Sequence, residues 1–324
     1  MIVAYVGSHD PMTERGSPWT TESVWGASLE LLGHEVVRID EASTSWPERV
    51  RLAEGADLFL ITSTWGVEER QPRGEGMRAV RYLNDRMPTA MVHLDRWFGL
   101  SNREHQIQDS PQFKVRWVFT ADGDSSHLFA AEGIRHHFLP SGVFEPECVL
   151  GVPRDEWRAG VGFVGNHKDY GHAEHFEHRM GMLTALREHF GERAAFWPRD
   201  DQPRPFGLDY NDLLASIKVI VGDSWQGARN YWSNRVFEVI GRGGMCVHPA
   251  VPGLVEMLPE GMGVSYFPPG DWQAMVATIE RWVADDEGRA EACAKGIEYV
   301  RSHHTYTHRM TEMLDVMASE GAWG

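Results

Sequence analysis

Residues 230–249, NYWSNRVFEVIGRGGMCVHP, run from a polar loop through a mostly apolar helix and a glycine pair into a short strand. We expect a helix over residues 234–242, with Ser233 as its N-cap and Gly243 and Gly244 ending it. Arg235 and Glu238 stand three positions apart and therefore share one helix face. The helix-to-strand pattern is typical of an α/β fold, with charge kept at the first turn.

The charged face has a chemistry that suits a nucleotide. A helix N-terminus favours phosphate because its N–H groups are unpaired and its dipole is positive there. Arg235 could add a charge-assisted contact to a diphosphate, while Glu238 offers two acceptor oxygens to ribose hydroxyls. The alternative is a surface ion pair worth a few tenths of a kcal/mol. The spacing alone leaves both interpretations open.

Strands alternate with helical segments on both sides of this stretch, which predicts parallel sheets built from βαβ units. We expect α/β architecture with two Rossmann-like domains facing a cleft, where ligands of open α/β sheets bind. Residues 143–160 lack periodicity and are interpreted as the linker. The predicted divisions are an N-terminal acceptor domain over residues 1–150 and a C-terminal nucleotide-binding domain over residues 151–302. A closing helix, residues 303–324, is expected to cross back to the first domain.

Composition limits the possible classes of function. The 324 residues carry a formal charge of −16, which argues against broad contact with nucleic acid. Three widely spaced cysteines fit a reducing compartment. The first residues form an apolar strand without a basic leader, and no apolar run approaches the roughly 20 residues of a membrane span. We therefore expect a cytoplasmic protein, or one in the host cytoplasm if it is viral.

The segment SNRVFEVIGRGGMCVHPAVPGLVEML, residues 233–258, resembles the signature of GT-B glycosyltransferases, particularly the spore-maturation-protein-like group. Other stretches fall in the order of that family, at 138–143 (FLPSGV), 161–166 (VGFVGN), 210–223 (YNDLLASIKVIVGD) and 303–314 (HHTYTHRMTEML). The match covers most of residues 161–315 in outline and is weaker before residue 140.

The resemblance implies a nucleotide-sugar donor held mainly by the C-terminal domain. Carried over by position, Glu238 binds the ribose, and Arg235 and Asn234 lie near the diphosphate, close to Ser233 at the start of the helix. The turn under the phosphates is made by Gly165 and Asn166, with Lys168 as a further cation. Retaining relatives carry a second Glu eight positions before the ribose Glu, where this chain has Asn230. That departure leaves the stereochemistry open.

A base or acceptor-orienting group is expected from the N-terminal domain. In VHLDRWFG, residues 92–99, a strand ends and is followed by His93, Asp95 and Arg96, of which Asp95 is the first candidate and His93 the second. The alternative is that His93 is a satisfied strand histidine and Asp95 caps a turn. The loop after the first strand adds His9 and Asp10 as possible contacts to acceptor or donor.

Two patterns that suggest metal sites are set aside. The histidines of HAEHFEH, residues 172–178, recur every third residue and so drift around a helix, and no cysteine joins them. The DGD at 122–124 mimics a metal-binding motif of a different glycosyltransferase fold. No metal and no cofactor are expected.

The predicted function is metal-independent transfer of a sugar, with hexose and UDP preferred, to an acceptor hydroxyl on a glycan, small molecule or modified base. Two alternatives are a phage-type DNA glycosyltransferase acting on a hydroxymethylated base, and a non-catalytic domain that binds a nucleotide or glycan. No G-x-G-x-x-G follows the first strand and no P-loop occurs, which argues against a dehydrogenase or an ATPase.

Overall fold

A computed structural model describes residues 1–9, 20–63, 74–100, 103–165, 173–199, 203–224 and 227–324, with the backbone alone for 173–177. The contacts among these residues divide the chain into two compact units. One unit contains the described residues up to Ser141 together with Tyr306–Gly324, and the other contains Gly142–Thr305. The predicted domain bounds at 150 and 302 stay predictions.

The first unit is built on a parallel sheet with strand order β2-β1-β3-β4-β5-β6. Its strands are β1 (Ile2–Gly7), β2 (Glu35–Asp40), β3 (Leu58–Ile61), β4 (Thr89–His93), β5 (Trp117–Thr120) and β6 (His136–Phe138). Strands β3, β4 and β5 are buried along their whole length, as expected for parallel strands covered on both faces.

The helices of the first unit include three that the sequence pattern did not predict. They are α1 (Thr21–Leu31), α2 (Trp46–Ala53), α3 (Glu75–Asn84), α4 (Gln106–Asp109), α5 (Ser126–Ala131) and α12 (Tyr306–Ser319). α1 begins after Thr20, whose hydroxyl accepts the N–H of Ser23 at 3.2 Å. The helices α2, α4 and α5 were not predicted because each is too short for a helical pattern to stand out.

The last helix belongs to the first unit. Tyr306 packs edge-to-face on Trp25 of α1 with ring centroids 6.2 Å apart. At its far end Glu320 accepts the indole N–H of Trp117 at 2.7 Å and an ion pair from Arg135 at 3.4 Å. The chain therefore returns to the first unit after completing the second, and α12 is held there at both ends.

The second unit is also a parallel sheet, with order β11-β10-β9-β7-β8. Its strands are β7 (Ala159–Val164), β8 (Ala194–Trp197), β9 (Ile217–Val221), β10 (Cys246–Pro249) and β11 (Val264–Phe267). Its helices are α6 (Ala173–Phe190), α7 (Gly207–Ser216), α8 (Arg235–Gly241), α9 (Pro252–Met257), α10 (Trp272–Ala284) and α11 (Asp286–His303). Two parallel α/β sheets confirm the predicted fold class.

Residues 230–249 contain α8 and β10. The helix is one residue shorter at each end than predicted, and Asn234 rather than Ser233 is its cap residue, without a side-chain capping bond. Gly243 ends it at a φ of 86°, and the N–H of Gly244 reaches the carbonyl of Val239 at 2.8 Å.

The segment predicted as a linker is fixed to the second unit by a buried network. Arg242 forms an ion pair with Glu147, and both side chains are almost fully buried. Asn211 on α7 accepts from Arg242 at 2.7 Å and donates to the backbone carbonyls of Glu147 and Val149 at 2.8 and 2.7 Å. Because buried charges are costly unless paired and hydrogen-bonded, these contacts specify the path of residues 142–150.

Candidate functional site

The carboxyl edge of the second unit's sheet carries a cluster of two arginines around one aspartate. Asp223 follows β9 and its side chain is only 2 % exposed. Arg235, at the first turn of α8, donates from Nη1 to one carboxylate oxygen at 2.7 Å. Arg179, on α6, donates from Nε to the other oxygen at 2.6 Å. We call Arg179, Asp223 and Arg235 the arginine-aspartate cluster.

The guanidinium of Arg235 is packed between two parts of β7. Its Cζ lies 4.8 Å from the ring centroid of Phe163, a cation–π contact. On another side it covers Gly165, where a Cβ would lie 2.8 Å from that Cζ and would overlap Nη2. The predicted role of Gly165 therefore gains a local reason, because its missing side chain makes room for the cation.

Glu238 lies one turn along α8 from Arg235 and is half-buried. Its carboxylate lies near Tyr210 on α7 and affects the pKa of that tyrosine. Burial and, to a smaller extent, the nearby Glu238 carboxylate together raise the pKa of Tyr210 to about 12. Glu238 therefore offers its carboxylate oxygens as hydrogen-bond acceptors at the helix surface, beside Tyr210.

The remaining predicted residues near α8 are on the preceding loop. Ser233 accepts the N–H of Arg235 through its hydroxyl at 3.4 Å, and Asn234 caps the helix. Asn230 packs against the start of α9, because a Cβ on Gly253 would overlap its Oδ1. Ser224 closes this loop by donating to the carbonyl of Tyr231 at 2.9 Å.

A buried histidine supports the turn that leads to Asp223. His248, on β10, is fully buried and its Nδ1 lies 2.8 Å from the carbonyl of Pro249. A carbonyl can only accept, so Nδ1 carries the proton of the neutral ring. Burial lowers the pKa of His248 to about 4. Its ring fills the space in which a side chain on Gly222 would begin, overlapping at Cδ2.

In the first unit, the structure brings His93 and Asp95 together at the end of β4. The N–H of Asp95 donates to Nδ1 of His93 at 3.0 Å, so the neutral imidazole carries its proton on Nε2. His93 is buried and packs edge-to-face on Trp97 at 5.1 Å. Arg103 forms an ion pair with the Asp95 carboxylate.

The pKa values of His93 and Asp95 are both lowered, but for different reasons. Burial lowers the pKa of His93 and outweighs the attraction of Asp95, so the ring is neutral. Burial pushes the pKa of Asp95 upward, but His93 and Arg103 together more than reverse this and hold it below its usual value. Because a depressed pKa makes a weak base, Asp95 suits orienting a hydroxyl better than removing its proton.

Two further features lie at the same edge of the first unit. His9 follows β1, and its Nε2 lies 2.9 Å from the carbonyl of Tyr5. Asp122 of the DGD motif is fully buried, 4.0 Å from Nε of Arg96, and burial raises its pKa. The described residues contain no group of three or more His, Cys, Asp or Glu arranged to hold a metal.

Three predicted site residues lie outside the described residues, namely Asp10, Asn166 and Lys168. The sequence analysis missed Arg179 and Asp223 as site residues. Asp223 had one visible signal, its position directly after an apolar strand, where polar side chains of α/β proteins gather at the ligand edge. Arg179 had none, because it is one arginine among several in its part of the sequence.

Comparison with protein families matches residues 178–315 to the family described as "Glycosyl transferase-like". This region includes the whole arginine-aspartate cluster and Glu238. No curated protein sequence matches the chain significantly. The finer assignment to the spore-maturation-protein-like group stays a prediction.

Solved structures match over nearly the whole chain. An alpha-glucosyltransferase in complex with UDP-glucose and DNA containing an abasic site has a TM-score of 0.69 at 11% identity, covering 98% of this chain and 99% of its own. Sucrose-phosphate synthase from Thermosynechococcus elongatus has a TM-score of 0.62 at 12% identity, with all of both chains covered (100% each). Anabaena HepE in complex with UDP-glucose has 0.63 at 12% identity, covering 98% of this chain and 100% of its own. These similarities establish the GT-B fold.

Proposed function

We propose that this protein, a GT-B glycosyltransferase, transfers a hexose from a nucleoside diphosphate sugar to an acceptor hydroxyl. In the reaction the bond between the anomeric carbon and the diphosphate breaks, a bond from that carbon to the acceptor oxygen forms, and the hydroxyl proton passes to solvent, so that the products are the glycosylated acceptor and the nucleoside diphosphate. The proposal divides the work between a donor site in the second unit and an acceptor-side group in the first.

The observation that carries the proposal is the placement of cations and a carboxylate on one end of the second sheet. Two arginines meet at Asp223, and their side chains are 16% and 13% exposed, so both remain within reach of a ligand. One helical turn from Arg235, Glu238 is an anionic acceptor suited to ribose hydroxyls. Cations for a diphosphate next to an acceptor for a ribose describe the polar part of a nucleoside diphosphate.

The cluster also suits the departure of the diphosphate. Negative charge develops on the phosphate oxygens as the sugar leaves, and fixed cations stabilise that charge without having to reorganise. Arginine presents a planar fork of donors that matches phosphate oxygens. We therefore propose that the arginines perform this step and that no divalent cation is required.

On the acceptor side we propose Asp95 as the group that orients the hydroxyl, with His93 fixing its position. The Asp95 carboxylate is ionised and half-buried, and the backbone of the same residue is tied to the imidazole. His9, at the end of β1, is a second candidate contact to either substrate.

UDP is the proposed nucleotide. HepE and the alpha-glucosyltransferase were both solved with UDP-glucose.

The three cysteines are free and buried, which fits a reducing compartment such as the cytoplasm. In the part of the chain that the structure describes, no helix has the length and apolar character needed to cross a bilayer.

A modified DNA base is the second candidate acceptor. The alpha-glucosyltransferase that resembles this chain was solved with DNA. The formal charge of −16 weighs against it, because duplex binding depends on neutralising phosphates. We therefore place a glycan or small-molecule hydroxyl first.

The test is a thermal-unfolding panel of UDP, GDP, ADP, TDP and CMP on the wild-type protein and on Glu238→Ala. A ligand at a hundred times its Kd stabilises the folded state by about 2.7 kcal/mol. We expect one nucleoside diphosphate to raise the unfolding temperature of the wild type but not of the variant. The corresponding nucleotide sugar is then tried against hydroxyl acceptors, including hydroxymethylated duplex DNA, with and without EDTA.

Each other outcome has a separate meaning. Stabilisation by none of the nucleotides contradicts the transferase proposal. Nucleotide binding without transfer to water or to any acceptor favours a non-catalytic binding domain. Loss of activity in EDTA, restored by a divalent cation, contradicts the metal-independent step alone.

A further inference from the structure

Asp223 is the least expected member of the arginine-aspartate cluster. Its two oxygens take one arginine each, at 2.7 Å for Arg235 and 2.6 Å for Arg179. The two arginines come from different helices, Arg235 from α8 and Arg179 from α6. Two guanidinium groups this close repel each other, so a shared carboxylate is needed to keep them side by side.

The position of Asp223 is itself fixed by the sheet. The N–H of Gly222 donates to the carbonyl of Val247 at 2.9 Å, which extends the β9–β10 pairing up to the aspartate. The His248 ring occupies the space beside Gly222 and leaves no room for a Cβ there. The backbone that leads from β9 to Asp223 is therefore anchored to the sheet, which suits a group that aims other side chains.

Arg235 is restrained on its remaining sides. Phe163 lies under its guanidinium at 4.8 Å, and Gly165 allows it to lie against the backbone at the end of β7. With Asp223 on Nη1, these contacts select one orientation of the fork. Arg179 gains its orientation through Nε, which donates to the other oxygen of the same carboxylate.

We propose that Asp223 is a positioning residue that holds Arg179 and Arg235 together as one diphosphate-binding pair, which makes Arg179 a second cation of the donor site. The inference rests on the proposed function, since it assigns how that site grips its diphosphate. Asp223 itself touches the arginines and acts on the donor through them.

Charge and positioning predict opposite effects of neutralising Asp223. The cluster carries one net positive charge, and Asp223→Asn raises it by one. If charge alone governed affinity, the variant would bind a diphosphate more tightly. If Asp223 positions the arginines, the variant loses affinity, because the pair separates when the carboxylate no longer holds it.

The experiment measures Kd by tryptophan fluorescence for the nucleoside diphosphate selected above and for its parent nucleoside. The variants are Asp223→Asn, Arg179→Gln and the double variant, with Arg187→Gln on the same helix as the matched control. We expect Asp223→Asn and Arg179→Gln each to weaken diphosphate binding about tenfold and to leave nucleoside binding unchanged. The double variant should lose less than the two single losses combined, since both act on one pair.

Three results would overturn the inference while leaving the donor site in place. These are tighter or unchanged diphosphate binding by Asp223→Asn, equal losses for nucleoside and diphosphate, or an Arg187→Gln control as impaired as Arg179→Gln. Asp223→Glu adds a rescue arm, because a carboxylate one methylene longer can restore part of the diphosphate affinity that Asn does not. Failure of the wild type to bind any nucleoside diphosphate would instead remove the proposed function itself.

Discussion

The guanidinium of Arg235 lies where a side chain on residue 165 would begin. A Cβ there would be 2.8 Å from Cζ of Arg235 and closer still to Nη2, too near for any real pair of atoms. The absence of a side chain at Gly165 thus allows Arg235, on the first turn of α8, to pack against the end of β7. Any residue larger than glycine must therefore shift the guanidinium of Arg235 from this position.

Gly165→Ala should therefore weaken nucleoside diphosphate binding about tenfold through displacement of Arg235. The measurement is the Kd for the preferred diphosphate, alongside the unfolding temperature. Gly160→Ala is the matched control on the same strand, because its Cβ would meet only ordinary contacts at 3.7 to 4.0 Å. Equal affinities of the two variants would show that the packing of Arg235 on residue 165 has no part in binding.

Asp95→Asn should lower kcat by about a hundredfold while nucleoside diphosphate affinity stays at the wild-type value, since the change removes an acceptor-side anion. Steady-state kinetics with saturating donor, together with the diphosphate Kd, separate the two effects. Asp85→Asn, an exposed aspartate in the same unit, serves as the control. A wild-type kcat in Asp95→Asn would exclude Asp95 from the transfer step.

Stability should fall on mild acidification because His248 is buried in its neutral form. Its folded pKa, about 4, lies below the ordinary value of 6.5, so the unfolded chain binds more protons between these values. Unfolding is then favoured as pH falls from the unfolded pKa toward the folded one. This one group should cost about 2 kcal/mol between about pH 7.5 and about pH 5.

Urea unfolding at both pH values checks this prediction in the wild type and in His248→Asn. The variant is expected to start from a lower stability, but its loss on acidification should be smaller by about the same 2 kcal/mol. His93 and His136, whose pKa values are also lowered by burial, titrate in both proteins and cancel in the comparison. An identical loss in both proteins would mean that His248 is accessible to protons in the folded state.

Breaking the Arg242–Glu147 ion pair from one side should destabilise the second unit strongly. Arg242→Met or Glu147→Gln leaves the partner buried without its counter-charge, at a cost of about 3–5 kcal/mol. The double variant should be more stable than the sum of the single losses predicts, which a double-mutant cycle in urea measures. Arg158→Met, which removes an exposed pair with Asp155, should change little. Additive losses would show that the pair does not act as a unit.

The sheets could be predicted from the sequence because their strands are buried runs of apolar residues separated by regular helical segments. The glycine stop after α8 was also visible, since it depends on local chemistry. Short helices such as α2 and α9 left no such pattern. Their identity is decided by packing on a sheet rather than by the sequence of a single turn.

The candidate site was only partly predictable for a related reason. Glu238 and Arg235 lie on one short helix, and their spacing is readable. Arg179 and Asp223 are 44 positions apart, and only the folded sheet brings them together. Arg242 shows the same limit, since nothing in the helix marks it as the partner of Glu147, which lies 95 positions earlier. Contacts of this kind require the topology first.

The return of α12 to the first unit makes the second unit an insertion in the chain. The entry and exit of the insertion lie side by side, because Val143 donates to the carbonyl of His304 at 3.1 Å and Arg309 donates to that of Ser141 at 3.2 Å. Residues 142–305 thus form one continuous segment whose two ends are adjacent. The first unit, by contrast, is covalently whole only after residue 141 is joined to residue 306.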